Sequence, residues 1–302
     1  MLNIRLGWLL ACLLLLTAAV GRADEYTFNY QKMVPTSAPI ELTLDLATGS
    51  VFVTGSTGDQ LIVEAVKRVR AVNQDEAEEV ADHIEIRVDQ NGERISIATN
   101  YLKLGSRKKS FWRKLFGSGS DSYGDVEYRI ILPQTKAITI KSMSAQVELA
   151  SVEAEITVEN AAGSTRGEFL FGSVNVAQPT GIIDLQWVEG DIRVKATSAM
   201  VTIVQMQGAL DLTTRTGGIS IRTELNSPKD FYVETETGAI SIAVPEMSSG
   251  QLSIQTKSGD ISTDVPIAIK SADRYRLVGE FGAGGPKISL SSSSGDVAVA
   301  LY

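Results

Sequence analysis

The chain has 302 residues, enough for one large domain or two of ordinary size. Its composition is 43% hydrophobic, 21% charged and 6% aromatic, with one cysteine, one histidine and a formal charge of −8. The apolar content excludes a disordered chain, and the single cysteine excludes a disulfide-stapled scaffold. The acidic balance argues against nucleic acid as a partner, and the shortage of cysteine and histidine argues against a metal centre.

Residues 1–23 have the features of a secretory signal peptide. Arg5 supplies a positive start, residues 6–20 are almost continuously apolar, and small residues precede a predicted cleavage before Asp24. The apolar run is short for a membrane anchor, and Cys12 lies inside it rather than after it, where lipid attachment would require it. An uncleaved anchor and lipidation remain the alternatives. Cleavage predicts a protein of the periplasm, the outer envelope or the medium, with 26 basic against 36 acidic residues.

Residues 24–136 form a β-rich part that is less regular than the rest of the chain. Val51 follows Leu42 by nine residues within alternating apolar positions, so residues 40–66 could belong to the same nine-residue repeat as residues 137–302. Residues 75–82 predict a short acidic helix, and the apolar positions on either side of Asn91-Gly92 predict a hairpin.

A nine-residue repeat organises residues 137–302. In the ten units from 138 to 221, every triplet is apolar–polar–apolar except the one that starts at Thr165. The triplets begin at Ile138, Val147, Ile156, Thr165, Val174, Ile183, Ile192, Val201, Leu210 and Ile219, and later ones begin at Phe231, Ile240, Leu252, Ile261, Ile288 and Val297. Alternation with period two predicts a strand with one buried face, and a fixed repeat predicts stacked turns.

We therefore predict an all-β fold, a single-stranded parallel β-solenoid or β-helix with about 18–21 residues and two strands per turn, plus one short helix near the N-terminus. A sandwich of antiparallel hairpins would explain the alternation but not the constant spacing. Glycine recurs two residues before the first apolar position, as at Gly190, Gly208 and Gly217. The step from Gly208 to Gly217 is only nine residues, so the glycine position changes side there.

The chain resembles the bacterial "putative adhesin" family. The resemblance rests on the repeated Thr-x-Thr-Gly-x-Ile-x-Ile unit, on the early Thr-Gly-Ser-Val strand at 48–51, and on the acidic helix followed by Ile-Glu-Ile-x-Val at 84–88. It covers most of residues 42–302 and implies a secreted or membrane-tethered β-solenoid domain of unknown function. The family name implies cell-surface adhesion, and the family offers no catalytic residues to transfer.

A basic segment at 103–116 departs from that family pattern. It carries six basic residues and no acidic one, and its aromatic residues would share one face of a helix. Such an amphipathic helix predicts contact with phospholipid headgroups, lipopolysaccharide or an acidic glycan, whereas the alternative is a solvated loop. The predicted contact residues are Lys103, Arg107, Lys108, Lys109, Phe111, Trp112, Arg113, Lys114 and Phe116.

The residues offer no catalytic site. His83 is the only histidine, no Gly-x-Ser-x-Gly motif is present, and carboxylates such as Asp184 and Asp211 take outward or corner positions without forming a pair. We therefore predict a non-enzymatic scaffold without a cofactor, which binds a cell-surface glycan, a lipid or an envelope protein. The rival functions are a periplasmic accessory module of envelope-stress signalling that binds a membrane partner, and a polysaccharide-active β-helix enzyme.

The chain ends inside a triplet unit at 297–302, which predicts a bare last turn with unpaired backbone groups. We expect the irregular residues 263–286 to fold over this end, or a partner to pair with it.

Overall fold

The computed structural model describes residues 24–37, 39–102, 124–225 and 228–302. These residues are almost entirely strand, with a single helix, α1, at Gln74–Asp82. The first strands are β1 (Asp24–Pro35), β2 (Ile40–Gly55), β3 (Gln60–Ala71), β4 (Ile84–Asn91), β5 (Arg94–Tyr101), β6 (Asp125–Leu132), β7 (Thr135–Glu153), β8 (Glu155–Asn160), β9 (Gly163–Phe171), β10 (Val174–Ala177), β11 (Thr180–Glu189) and β12 (Ile192–Lys195). The remaining strands are β13 (Ser198–Gln207), β14 (Leu210–Thr216), β15 (Ile219–Thr223), β16 (Phe231–Thr237), β17 (Ile240–Val244), β18 (Gly250–Ser258), β19 (Ile261–Thr263), β20 (Ala268–Asp273), β21 (Arg276–Phe281), β22 (Lys287–Ser294) and β23 (Val297–Leu301).

The repeated turns form a parallel solenoid with two faces, which confirms the predicted fold, whereas β1–β3, β3–β6 and β4–β5 pair antiparallel at its N-terminal end. Strands on the first face follow the order β4-β5-β2-β7-β8-β10-β12-β14-β16-β22-β18-β21-β20. Those on the second face follow the order β1-β3-β6-β2-β7-β9-β11-β13-β15-β17-β23-β19. The long strands β2 and β7 bend at a corner, so each contributes to both faces.

The register of the parallel strands follows the sequence repeat. Ile138 pairs with Ile156 one turn later, a step of 18 residues, and Leu210 pairs with Phe231, a step of 21 residues. Stacking therefore aligns the inward Val, Ile and Leu side chains of successive turns into one continuous core. Burying each such side chain contributes about 1.5–3 kcal/mol.

The triplet that starts at Thr165 is a regular part of this stack. Thr165 is fully buried, and its hydroxyl donates a hydrogen bond of 2.7 Å to Oε1 of Gln178. The side chains of Leu170 and Leu185 fill the space that a side chain at Gly167 would occupy. A hydrogen bond and two neighbouring leucines thus replace the missing apolar pair.

The solenoid has two columns of glycine residues, one at each corner. They explain why the glycine position changes side between Gly208 and Gly217. The glycines Gly163, Gly181 and Gly217 lie within two residues of the start of strands of the second face, whereas Gly172, Gly190 and Gly208 precede strands of the first. At Gly181, φ is +117°, and an added Cβ would lie 1.9 Å from the carbonyl oxygen of Gly163, one turn earlier. Only glycine allows this backbone approach at a positive φ.

Buried amide side chains bond the carbonyl groups at these corners. Nε2 of Gln178 donates to the carbonyl oxygens of Gly163 (3.2 Å) and Ile182 (3.0 Å). At the opposite corner, Nε2 of Gln205 donates to the carbonyl oxygens of Gly190 (2.8 Å) and Ala209 (2.9 Å). Because a buried carbonyl without a partner is costly, these amides stabilise the corners from inside.

The last turns are stacked in a different order from their order in the sequence. Ile288 pairs with Phe231 on one side and with Leu252 on the other. The C-terminal turn, β22–β23, is therefore inserted between the turn β16–β17 and the turn β18–β19. The expectation of a bare C-terminal turn at the end of the solenoid is wrong, because residues 264–286 let the chain return by one turn.

A hairpin covers the actual end of the first face. Strand β21 pairs antiparallel with β18, with Leu252 opposite Gly279, and β20 pairs with β21. The irregular residues thus cap a strand edge as expected, but the edge is that of β18 rather than that of the C-terminal turn. This pairing protects β18 from pairing with another chain.

Helix α1 lies at the opposite end of the solenoid, against β3 and β4. The side chain of Asn73 caps its first turn by accepting a hydrogen bond of 2.9 Å from the Glu76 amide. Its buried residues are Ala77, Val80 and Ala81. The predicted acidic helix is present, and so is the predicted hairpin, in which β4 and β5 pair antiparallel.

No helix in the described ranges has the length and apolar character needed to cross a membrane.

Candidate functional site

The predicted contact residues of the basic segment lie outside the described residues, so that prediction stays a prediction. They are Lys103, Arg107, Lys108, Lys109, Phe111, Trp112, Arg113, Lys114 and Phe116. The structure does place the flanks of the segment. The Leu102 amide donates a hydrogen bond of 2.8 Å to the His83 carbonyl, and Asp125 begins β6 opposite Arg68. Leu102 and Asp125, the described residues on either side, therefore lie near the α1 end of the solenoid.

A column of left-handed residues forms the most unusual backbone feature of the described surface. Ser151, Phe169 and Trp187 occupy the same position in three consecutive turns, with φ values of 53°, 54° and 58°. A bulky residue rarely adopts such a φ, because its side chain collides with its own backbone. The residues that come directly after them are buried: Val152, Leu170 and Val188. Each left-handed residue thus forms a bulge whose own side chain points outward.

The two aromatic rings of this column lie nearly parallel to one another. The ring centroids of Phe169 and Trp187 are 6.4 Å apart, with an angle of 12° between the ring planes. The side chains are exposed to 45% and 46%, which is unusual for residues of this size. We call Phe169 and Trp187 the aromatic pair. One turn further on, Gln205 points inward instead, so the column ends at Trp187.

An open depression of about 990 Å³ adjoins the Ser151 end of this column. We call it the corner groove. It is lined by Pro39, Gly55, Ser56, Thr57, Leu132, Pro133, Gln134, Thr135, Lys136, Ser151, Val152 and Glu153. Since successive turns lie about 4.8 Å apart, the corner groove and the aromatic pair form one surface along the solenoid axis.

Polar side chains border the aromatic pair on the second face. Nη1 of Arg166 lies 3.6 Å from Oε1 of Glu148, and Nε2 of Gln186 donates a hydrogen bond to Oδ1 of Asp184. Together with Glu168 they line a smaller depression of about 280 Å³. Glu168 and Gln186 directly precede Phe169 and Trp187 in the chain, so hydrogen-bonding groups adjoin the aromatic pair along both strands.

Groups elsewhere on the described surface have structural roles. A ring nitrogen of His83 lies 2.7 Å from the carbonyl oxygen of Glu79, at the C-terminal end of α1. Hydrogen bonds from Lys136 and Arg94 hold the pKa of Glu41 below its usual range. The amide of Ala209 and the ammonium of Lys229 do the same for the pKa of Asp191. A general acid needs a shift in the opposite direction, so neither carboxyl group is suited to that role.

No group of three or more His, Cys, Asp or Glu side chains within the described ranges could hold a metal ion.

Sequence reasoning missed the aromatic pair, and the reason is the bulge. Period-two alternation from Ile183 through Leu185 places Trp187 inside, and the same count from Thr165 places Phe169 inside. One extra residue in each strand moves the next apolar residue inward and turns the aromatic ring outward. The signal that could have found the pair is an 18-residue spacing of two large aromatic residues in a chain with only 6% aromatic residues.

Residues 40–300 match the family model of Toastrack DUF4097. The chain belongs to the Toastrack family. This membership confirms the resemblance to the "putative adhesin" family that the sequence motifs indicated. No curated protein matches this member of the family.

Solved structures that resemble this Toastrack chain share little sequence with it. One is described as a putative cell adhesion protein from Clostridium sporogenes, with 11% identity, 92% of this chain and 100% of that chain covered, and a TM-score of 0.30. A putative adhesin from Bacteroides fragilis has 11% identity, 91% and 97% coverage, and a TM-score of 0.33. A putative lipid binding protein from Parabacteroides distasonis has 11% identity, 89% and 96% coverage, and a TM-score of 0.31.

Proposed function

We propose that the protein is an exported, non-enzymatic interaction scaffold of the bacterial envelope, of the adhesin type. The observation that carries this proposal is the exposed aromatic pair, which a rigid solenoid presents at a fixed place on its surface. Aromatic side chains that are large, exposed and held in one orientation are typical anchors of binding surfaces, because they bury much area at little entropic cost.

The fold supports a binding role in a second way. Each turn is hydrogen-bonded to its neighbours along both faces, and the side chains of Gln178 and Gln205 bond the corners from inside. Such a stack presents a long lateral surface that does not need to reorganise when a ligand arrives. Binding therefore costs little conformational entropy on the protein side.

Export is part of the proposal and rests on the signal-peptide features of residues 1–23. We also propose that the basic segment at 103–116 contacts an anionic surface, since its six basic residues contrast with an otherwise acidic chain. The two contacts would act at different places, because the flanks of the basic segment lie near α1 and the aromatic pair lies further along the solenoid.

The proposal is tested by retention of the full chain on isolated bacterial envelope fragments. In buffer of about 1 M salt, which reduces the Debye length to about 3 Å and so weakens charge contacts of the basic segment, we expect the wild-type protein to sediment with the fragments and the variant Phe169→Ser/Trp187→Ser to remain largely in solution. A matched control is Tyr232→Ser/Ile269→Ser, which removes two other exposed apolar side chains, 43% and 62% exposed, and should bind like the wild type.

Two outcomes would contradict the proposal. Equal retention of the wild type and the aromatic variant would remove the aromatic pair from the interaction. Release of soluble sugars from the fragments by the wild-type protein would indicate a polysaccharide-active enzyme instead.

A further inference from the structure

We infer that the aromatic pair is a stacking platform for an uncharged saccharide. This inference rests on the proposed function and names the ligand class of the same site. It depends on three observations: the strained backbone beneath the rings, the exposed rings themselves, and the chemistry of the groups around them.

The backbone strain indicates a role beyond stability. Phe169 and Trp187 each hold a left-handed conformation that costs on the order of 1–3 kcal/mol for a residue other than glycine. The protein uses glycine at corner positions such as Gly181 and Gly217, where φ is also positive. Glycine would relieve the strain at both positions, yet both hold a large aromatic residue. This indicates that the rings themselves have a function.

The rings present the type of surface that a pyranose ring covers. They are nearly parallel, about half exposed, and 6.4 Å apart between centroids. A sugar carries a face of C–H groups that packs on an aromatic ring, while its hydroxyl groups point sideways. Since the centroid spacing is similar to the length of one pyranose unit, adjacent rings could hold adjacent units of an oligosaccharide.

The rim supplies partners for those sideways hydroxyl groups. Glu168 and Gln186 directly precede the two aromatic residues, and Asp184 lies beside Gln186. Carboxylate oxygens accept hydrogen bonds from hydroxyl groups, and an amide both donates and accepts. Apolar rings with a few polar groups at their edge are the usual composition of a small-molecule site.

The charge of the rim decides between ligand classes. Glu168 and Glu189 are exposed on the strands that carry the aromatic pair, and Glu153 is exposed on the adjacent strand β7. The cation among the groups of the smaller depression, Arg166, already pairs with Glu148 at 3.6 Å. An anionic lipid headgroup or a uronic-acid glycan would be repelled here, whereas an uncharged saccharide would not. The site therefore differs in ligand from the basic segment.

Fluorescence of Trp187 tests the inference directly. The chain has three tryptophans, so the full chain with Trp8→Phe and Trp112→Phe keeps Trp187 as its sole tryptophan. The probes are tetra- to hexasaccharides of glucose, mannose, galactose and N-acetylglucosamine, with oligogalacturonate and a Lys/Arg-rich peptide as competing ligand classes. We expect at least one uncharged oligosaccharide to change the emission saturably.

Adding Phe169→Ser to this background should weaken that binding at least tenfold, whereas adding Tyr232→Ser should leave it unchanged. Three results would each overturn the inference. The emission of Trp187 could stay unchanged with every uncharged oligosaccharide, oligogalacturonate could bind equally or more tightly, or the basic peptide could be the sole ligand that binds. If no uncharged oligosaccharide binds but the envelope fragments still retain the wild type and not the aromatic variant, the inference fails while the proposed function stands. If no uncharged oligosaccharide binds and the fragments retain both proteins equally, both fail.

Discussion

The carbonyl oxygen of Gly163 lies 1.9 Å from the point where a Cβ on Gly181 would stand. This contact joins two consecutive turns at a corner, and it recurs along the column where Gly217 faces Ala199 at the same distance. The corner thus depends on the absence of a side chain as much as on a permissive φ.

Gly181→Ala should therefore destabilise the protein by at least about 1–3 kcal/mol, the usual cost of a strained φ, with the backbone collision added to it. Urea unfolding measures the loss. Gly218→Ala is the matched control, because nothing lies within 4 Å of a Cβ there, and its stability should be close to that of the wild type. Equal stability of the two variants would contradict this account of the corners.

The variant Trp187→Gly should be more stable than the variant Trp187→Ala. Both changes remove the ring, but only glycine relieves the left-handed backbone, so Trp187→Gly should exceed Trp187→Ala in unfolding free energy by about 1 kcal/mol. Ile182 is the control on the same strand, because its φ is not positive. There Ile182→Ala should be the more stable variant, since glycine weakens a strand. The same sign at both positions would argue against strain at Trp187.

The inserted C-terminal turn predicts how truncation acts. Deletion of 287–302 removes β22 and β23, the strands that join the turn containing Phe231 to the turn containing Leu252. We expect residues 246–286 to become sensitive to limited proteolysis, while the turns before them stay resistant. If these residues stayed resistant after the deletion, β18–β19 would not depend on the last turn.

Replacing residues 264–286 by a short Gly-Ser linker tests the hairpin separately. The stacked turns remain, but β18 loses its antiparallel partner β21 and exposes a strand edge. Size-exclusion chromatography with light scattering should show self-association at rising concentration. Unchanged size relative to the wild type would reject the capping role of the hairpin.

Asp191 predicts a pH-dependent contribution to stability. Its carboxylate accepts hydrogen bonds from the Ala209 amide at 2.9 Å and from Nζ of Lys229 at 2.7 Å, and these lower its pKa in the folded protein. The contribution is therefore present above the unfolded pKa of about 3.9 and disappears as pH falls through the folded pKa. Because the side chain is half exposed, we expect no more than about 1 kcal/mol.

Urea unfolding of the wild type and Asp191→Asn between pH 7 and pH 2 measures this contribution. The variant should be less stable at pH 7, and the difference should vanish at the acid end. A difference that is constant with pH would show that ionisation of Asp191 contributes nothing.

The nine-residue repeat made the turns and their register predictable, because each triplet shows which side chains point inward. The order of the last turns was not predictable in the same way. The triplets at Ile240, Ile261 and Val297 are all small and alternating, so each fits beside either of the others. The triplets alone therefore do not show which turn is inserted.

The candidate site was harder to predict for a related reason. The prediction assumed that successive residues of a strand point to alternate faces. The bulges at Phe169 and Trp187 each add one residue, and no local sequence motif indicates them. The buried positions of Gln178 and Gln205 were not predictable either. A polar side chain indicates exposure in the sequence, and only the structure shows the corner carbonyl groups to which these amides donate.

A crystal structure of the full chain bound to the tightest uncharged oligosaccharide would test the central claim most directly. We predict a pyranose ring within about 4 Å of the Trp187 ring, with a neighbouring unit on Phe169 and hydroxyl groups bonded to Glu168 or Gln186. A saccharide bound elsewhere, with both rings of the aromatic pair still open to solvent, would contradict this assignment.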